Sequence, residues 1–217
     1  MDNVARTLTA AAQAIDMYSD LFGAYSGERY VIVQGDFPDG MEFSGIVFVS
    51  EAWFRTNPGS AQSYLTIITV HETSHQWWYA RVGSDQALYP WLDEALACYS
   101  EFIFYEEHYP DLKEWWWNFR VGTYVKPDYS GRRVDSTVYQ FGTGREYINA
   151  VYLRGAEMMD ALRADLGTDA FFDWLRRYAD AGRSRVITPG EFWSLLSPQQ
   201  LEQTRATRAE YMSGDQP

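Results

Sequence analysis

The chain has 217 residues, of which 46% are hydrophobic, so it is long and apolar enough to bury a sizeable core. Its formal net charge of −12 argues against binding to nucleic acid or to an anionic membrane surface, because phosphate groups attract clusters of Lys and Arg. No apolar run has the length of a transmembrane helix, and the first residues lack the pattern of a signal peptide. We therefore expect a protein that is soluble as given, and the sequence leaves both a cytoplasmic and an extracytoplasmic location open.

The first part of the chain is predicted to form one amphipathic helix and a small sheet. Apolar residues keep a helical period over 4–22, and Gly23 then ends the helix. Two runs rich in β-branched and aromatic residues, 29–34 and 41–50, predict strands on either side of a turn rich in Asp, Pro and Gly.

Two longer helices are predicted next. The first covers 61–81 with Ser60 as its N-cap, and because it is apolar on most faces we expect it to be buried between layers. The second lies between Pro90 and Pro110. Further helices are predicted at about 111–124, 146–166 and 169–181, with a short capped helix after Thr188 and a polar one from Ser197. This pattern predicts an α+β fold that is mostly helical, with a small sheet on its N-terminal side and a helical C-terminal lobe.

The pentapeptide His71-Glu72-Thr73-Ser74-His75 lies within the first of these long helices. Residues four apart lie one turn above each other on the same face of a helix, so His71 and His75 can direct two imidazoles at one metal ion. Glu72 is offset from His71 by about 100° and flanks the pair without joining it. It is therefore placed to act on a water molecule bound to the metal.

A carboxylate completes the predicted metal site. A catalytic zinc ion uses three protein ligands and one open position, and two His with one Glu are a common set. Glu94 follows after eighteen intervening residues, at the start of the second long helix, and is the natural third ligand. We therefore predict one zinc ion per chain, held by His71, His75 and Glu94.

Two further carboxylates lie near Glu94 in the sequence. Glu101 lies two turns further along the same side of the helix. It is either a solvated surface carboxylate or the hydrogen-bond partner that orients a metal-bound histidine, and the sequence leaves both open. Asp93 is interpreted as a first-turn helix charge.

The zinc motif, His71-Glu72-x-x-His75 followed by Glu94, resembles that of the gluzincin aminopeptidases, which are typified by aminopeptidase N and the leukotriene-hydrolase enzymes. The resemblance implies a thermolysin-like zinc metallopeptidase catalytic domain covering 1–217. In this interpretation the helix, small sheet and HExxH helix occupy about 1–82, and a helical lobe occupies about 83–217. The family's flanking domains have no counterpart in the chain, which is either complete or part of a longer multidomain protein.

Two further segments resemble the same family. Gly40-Met41-Glu42 is similar to its Gly-Ala-Met-Glu-Asn strand, which implies that these residues bind substrate and that Glu42 holds the free α-amine. The segment that starts at Tyr152 and continues Leu-Arg-Gly-Ala is similar to its Tyr-x-Lys-Gly-Ala helix start, which implies that the Tyr152 hydroxyl stabilises the transition state. The chain departs from the family pattern at Gly40, which replaces Ala, and at Phe43, which replaces Asn.

The resemblance and the residues together predict a peptidase in which Glu72 activates a zinc-bound water. The expected activity is that of an aminopeptidase, which removes N-terminal residues from peptides with a free N-terminus. Two alternatives remain open at this point. One is a zinc endopeptidase with an open cleft, and the other is a non-catalytic zinc-binding domain of a larger protein.

Overall fold

The computed structural model describes residues 2–214. The chain begins with helix α1 (Asn3–Phe22), whose first turn is capped by the Asp2 side chain, and it leaves this helix at Gly23, where φ is +101°. Only glycine adopts such a backbone conformation readily, which explains why the predicted stop signal ends the helix.

A three-stranded sheet follows α1. Its strands are β1 (Val31–Gly35), β2 (Gly40–Phe43) and β3 (Ile46–Ser50), in the order β1-β3-β2, with β3 parallel to β1 and antiparallel to β2. The prediction of one strand over 41–50 was wrong, because the chain turns back at Gly45, where φ is +76°. The turn makes β2 an edge strand, which contacts the helix that carries the HExxH motif.

Helix α3 carries the motif and is buried almost throughout. A short helix that the sequence analysis did not predict, α2 (Glu51–Thr56), precedes it. Helix α3 spans Tyr64–Trp78 and is capped by Ser63 instead of Ser60, so it starts three residues later than predicted. After a two-residue strand, β4 (Val82–Gly83), helix α4 runs over Trp91–His108, close to the predicted bounds.

The remaining described residues, up to 214, form helices and loops and one short strand. They include α5 (Lys113–Trp116), a π-helical segment (Trp117–Val121), α6 (Gly144–Tyr147), a second π-helical segment (Ile148–Leu153), α7 (Arg154–Leu166), α8 (Thr168–Ala181), β5 (Arg185–Val186), α9 (Pro189–Ser194), α10 (Pro198–Gln203) and α11 (Arg205–Tyr211). The predicted class, an α+β fold that is mostly helical with a small sheet near its N-terminus, is confirmed.

Helices α3 and α4 form the centre of the molecule. They pack against each other, while α1 covers α3 and α7 covers α4. The core is unusually aromatic, and its fully buried tryptophans are Trp77, Trp78, Trp91, Trp116, Trp174 and Trp193. Within residues 2–214, no helix is long and apolar enough to cross a bilayer.

Candidate active site

The three predicted metal ligands come together at the contact between α3 and α4. His71 and His75 lie one turn apart on α3, and their ring centroids are 4.8 Å apart. Glu94 lies in the first turn of α4, and its Oε2 atom is 3.3 Å from His71 Nε2 and 3.5 Å from His75 Nε2. All three residues are at most 9% exposed, so the cluster lies at the base of a cleft.

The donor atoms of this cluster fit a metal cation. One potential ligand atom from each residue lies within 4.8 Å of the other two. His75 Nε2 and Glu94 Oε2 are buried without a well-directed hydrogen bond from the described residues. A buried polar atom in that state costs about 1–3 kcal/mol, and a cation between the atoms would remove this cost. Two imidazole nitrogens and one carboxylate oxygen form a set that suits Zn²⁺.

The opposite nitrogen of each ring is held by a carboxylate. His71 Nδ1 donates to Glu101 Oε1 at 2.8 Å, and His75 Nδ1 donates to Asp93 Oδ1 at 2.6 Å. These bonds fix the ring orientations so that each Nε2 faces Glu94 and would bind a cation once its proton is displaced. The structure therefore places Glu101 in a buried contact with His71 and away from solvent.

Glu101 is itself held by two donors from the segment after α4. Arg120 donates to both of its oxygens, at 2.9 Å and 2.8 Å, and Trp116 Nε1 donates to Oε2 at 3.0 Å. Burial raises the pKa of Glu101, but Arg120 and His71 together outweigh burial and keep it below its ordinary value. Glu101 is therefore ionised and accepts the hydrogen bond from His71 Nδ1.

Asp93 has a larger role than the sequence analysis assigned to it. It does lie in the first turn of α4, but it is 1% exposed and hydrogen-bonded to His75, whereas a helix-end charge would face solvent. The sequence did contain a signal for this role. Asp93 follows the apolar residues Trp91 and Leu92 and precedes the predicted ligand Glu94, and a carboxylate in an apolar turn needs a partner.

Glu72 lies beside the ligand cluster, as its position on the helix predicts. It is 4% exposed, and its Oε2 atom has no hydrogen-bond partner among residues 2–214. A Cβ atom built on Gly40 would lie 2.3 Å from Glu72 Oε1, so the glycine leaves room for this carboxylate against β2. In the metal-free protein, burial raises the pKa of Glu72 to about 8, although the two histidines oppose the shift.

The charges of the metal-free site are strongly coupled. Burial lowers the pKa of His71, but its interactions with the Glu101 and Glu94 carboxylates outweigh burial and raise it to about 9. Burial raises the pKa of Glu94, while His71 and His75 bring it below its ordinary value. The site thus holds protons on its histidines in the absence of a metal, and a cation must displace them.

Strand β2 places the predicted substrate-binding residues along one edge of the cleft. Gly40, Met41 and Glu42 all line it. Glu42 is half-buried and its Oε1 atom accepts a hydrogen bond from Gln86 Nε2 at 3.1 Å. The adjacent side chain of Phe43, at the family's Asn position, is 44% exposed.

Tyr152 lies beside the ligand cluster, in the second π-helical segment. Its ring stacks on His71 with centroids 5.8 Å apart and planes 8° apart, and the ring of Tyr147 meets it edge-on at 5.4 Å. Burial and the nearby charge of Glu94 raise the pKa of Tyr152 well above its ordinary value, so its hydroxyl remains a proton donor. Because a π-turn shifts the following side chains around the helix, such segments often occur at functional sites.

A cleft of about 500 Å³ connects these groups. Besides β2, its walls come from α3, α4 and the π-helical segment, and its acidic base contains Glu72 and Glu94. Arg145 lines the same cleft, where its guanidinium lies 4.2 Å from the centroid of the Tyr124 ring. The cleft is large enough for a small peptide and is charged at its base.

An HExxH helix whose two histidines converge with a glutamate of the following helix defines a metallopeptidase-type site. Residues 6–209 match the family model described as the peptidase family M1 domain, and the chain belongs to this family. The predicted relationship to gluzincin zinc aminopeptidases is thereby confirmed.

Similar proteins agree with this family. Human endoplasmic reticulum aminopeptidase 2 is 27% identical over 206 residues, which are 90% of this chain and 22% of that protein. A mutant of a two-domain M1 zinc metallopeptidase, solved with L-arginine bound, matches with a TM-score of 0.74 at 22% identity. The M1 zinc metallopeptidase from Deinococcus radiodurans matches with a TM-score of 0.71 at 23% identity. Each structural match covers 96% of this chain, and 45% and 44% of the other chains. This chain therefore spans less than half of these relatives, and the two structures show a shared fold.

Proposed function

We propose that residues 1–217 form one catalytic domain of a zinc aminopeptidase, with a lobe of about 1–82 and a helical lobe of about 83–217. The observation that carries this proposal is the position of Glu42 on the edge of the same cleft as the metal-ligand cluster and Glu72. One potential ligand atom of Glu42 also lies within 4.8 Å of such atoms of His75 and Asp93. A substrate amine bound at Glu42 would therefore have its first peptide bond close to the ligand cluster.

His71, His75 and Glu94 would hold the zinc ion. Zinc bound there supplies Lewis-acid polarisation of a substrate carbonyl and promotes ionisation of water. The Glu101 and Asp93 carboxylates keep the imidazole rings in the orientation that this requires.

The remaining roles follow from the positions of the side chains. Glu72 accepts the proton of the attacking water and later returns it to the leaving amine. The Tyr152 hydroxyl, protonated at neutral pH, donates to the oxyanion that develops in the transition state. Glu42 holds the substrate's α-ammonium group, which selects the N-terminal peptide bond.

This proposal is tested by comparing the rates at which two forms of one peptide are hydrolysed. One form has a free N-terminus and the other has an acetylated N-terminus. We expect the free-amine form to be cleaved about 100-fold faster, because acetylation removes the charge that pairs with Glu42, and charged hydrogen bonds contribute roughly 1.5–3 kcal/mol. Glu42→Gln should reduce this preference, whereas Glu28→Gln, at an exposed position, should not.

Equal rates for the two forms would contradict the aminopeptidase activity and support an endopeptidase with an open cleft. Zinc binding without hydrolysis of either form would support the non-catalytic interpretation.

A further inference from the structure

We propose that Gln86 is a positioning residue that holds Glu42 beside the metal centre and thereby connects recognition of the substrate's α-amine to the ligand His75. This inference rests on the proposed aminopeptidase function. Nothing in the HExxH motif or in the family resemblance points to Gln86, which lies in the loop between β4 and α4.

The inference starts from a continuous path of hydrogen bonds. Gln86 Nε2 donates to Glu42 Oε1 at 3.1 Å and to Asp93 Oδ2 at 2.6 Å. The other oxygen of Asp93 accepts from His75 Nδ1 at 2.6 Å. A single amide group thus bridges the proposed amine-binding carboxylate and the carboxylate that orients a metal ligand.

This bridge compensates for an unfavourable arrangement of charges. Glu42 and Asp93 have ligand atoms within 4.8 Å of each other, and two carboxylates at that distance repel. An amide NH₂ group can donate one hydrogen to each carboxylate. Because the amide is neutral, it leaves the negative charge of Glu42 to attract an ammonium group, whereas a lysine in its place would compete with the substrate.

The loop that carries Gln86 is held in place by its own hydrogen bonds. The Asp85 side chain accepts from the backbone N–H groups of Ala87 and Leu88, both at 3.0 Å. The Ala87 carbonyl accepts from Val138 N at 3.0 Å, which ties the loop to the segment before α6. The exposed Gln86 side chain therefore extends from a fixed backbone, which is what a positioning residue requires.

Binding measurements in the Glu72→Gln background test this role without relying on turnover. Calorimetry with the zinc-loaded protein would give the Kd of an uncleaved free-amine peptide and of its acetylated form. We expect Gln86→Ala to weaken binding of the free-amine peptide about tenfold and to leave binding of the acetylated peptide unchanged. Gln62→Ala, at an exposed position before α3, is the matched control and should change neither Kd.

A double-mutant cycle then separates this role from a general structural one. If Gln86 acts through Glu42, Gln86→Ala should have no further effect on free-amine binding once Glu42 is replaced by Gln. The proposal is overturned if Gln86→Ala leaves the free-amine preference intact, weakens both peptides equally, or acts equally in the Glu42→Gln background. The proposed aminopeptidase function fails by a different result, in which the protein with Gln86 intact shows no preference for the free-amine peptide. The two failures are therefore distinguishable.

Discussion

Each imidazole of the proposed metal site is hydrogen-bonded to a carboxylate behind it. His75 is held by Asp93 and His71 by Glu101, and both carboxylates are almost fully buried. Their negative charge raises the electron density on each ring and fixes which nitrogen faces the metal. The strength of metal binding should therefore depend on residues that do not touch the metal.

Asp93→Asn tests this dependence with little change in shape. The amide keeps an oxygen that can accept from His75 but loses the charge, so we expect zinc affinity to fall about 10- to 100-fold. Competition with a fluorescent zinc chelator measures the affinity, and Asp16→Asn, at an exposed position on α1, serves as the control. An unchanged affinity in Asp93→Asn would show that the His75–Asp93 bond does not support the metal site.

The sequence predicts the two histidine ligands directly because their geometry is local, whereas Glu94 was expected from its spacing after the motif and from the usual ligand set of zinc. The i, i+4 spacing of His71 and His75 fixes their common direction on any helix. Asp93 and Gln86 could not be assigned in the same way, since their roles depend on how α4 and its preceding loop pack against α3 and β2. The positions of Glu42 and Tyr152 were expected only from the family resemblance, and their roles stay predictions.

Among the secondary structure elements, α3 and α4 determine the site through their mutual packing, and α7 also packs against α4. Gly155, in the first turn of α7, allows a close approach. A Cβ atom on Gly155 would lie 2.5 Å from Ala95 Cβ, and Ala95 adjoins the proposed ligand Glu94. The glycine in the Leu-Arg-Gly-Ala segment therefore has a packing role that the resemblance alone did not reveal.

Gly155→Ala should destabilise the protein by forcing α7 away from α4. Overpacking of this kind costs about 1–3 kcal/mol, which corresponds to a fall in Tm of roughly 2–4 °C for each kcal/mol in a domain of this size. Gly144→Ala is the control, because a Cβ atom there would meet no atom within 4 Å. Thermal unfolding of both variants measures the difference, and equal Tm values would contradict this account of the α4–α7 contact.

The differences between predicted and observed elements have local causes. The run over 41–50 is rich in β-branched and aromatic residues, as a strand would be, but the turn at Gly45 divides it into β2 and β3. Helix α3 was expected to begin near Ser60, yet Ser63 caps it, because two serines three residues apart are equally good caps in the sequence. The long apolar periods of α1 and α4 were predicted closely, since hydrophobic periodicity is strongest in long helices.

For the molecule as a whole, the buried ionisable site links stability to pH. In the zinc-free protein the pKa of His71 is raised from 6.5 to about 9, so the protonated ring contributes stability that is fully present below pH 6.5 and lost as the pH rises through about 9. The pKa of Glu72 is raised from 4.5 to about 8, so its ionisation in the unfolded state also lowers stability as the pH rises from 4.5 to about 8. Both groups act in the same direction.

We therefore expect the Tm of the zinc-free protein to fall between pH 6.5 and 9. Bound zinc should reduce this dependence, because it takes the place of the protons on the histidines and its charge favours ionised Glu72. Calorimetric Tm values of zinc-free and zinc-loaded protein across this range measure both trends. A Tm of the zinc-free protein that rises over the same range would contradict the assigned pKa shifts.

The most direct test of the central claim combines metal content with peptide turnover, for the wild-type chain and for Glu72→Gln. If His71, His75 and Glu94 hold zinc and Glu72 transfers the protons, both proteins should contain about one zinc ion per chain by elemental analysis. Turnover should fall by about 10²–10⁴-fold in the variant, the usual contribution of a general acid–base group. Absence of zinc from both proteins, or full turnover by Glu72→Gln with zinc bound, would contradict the account.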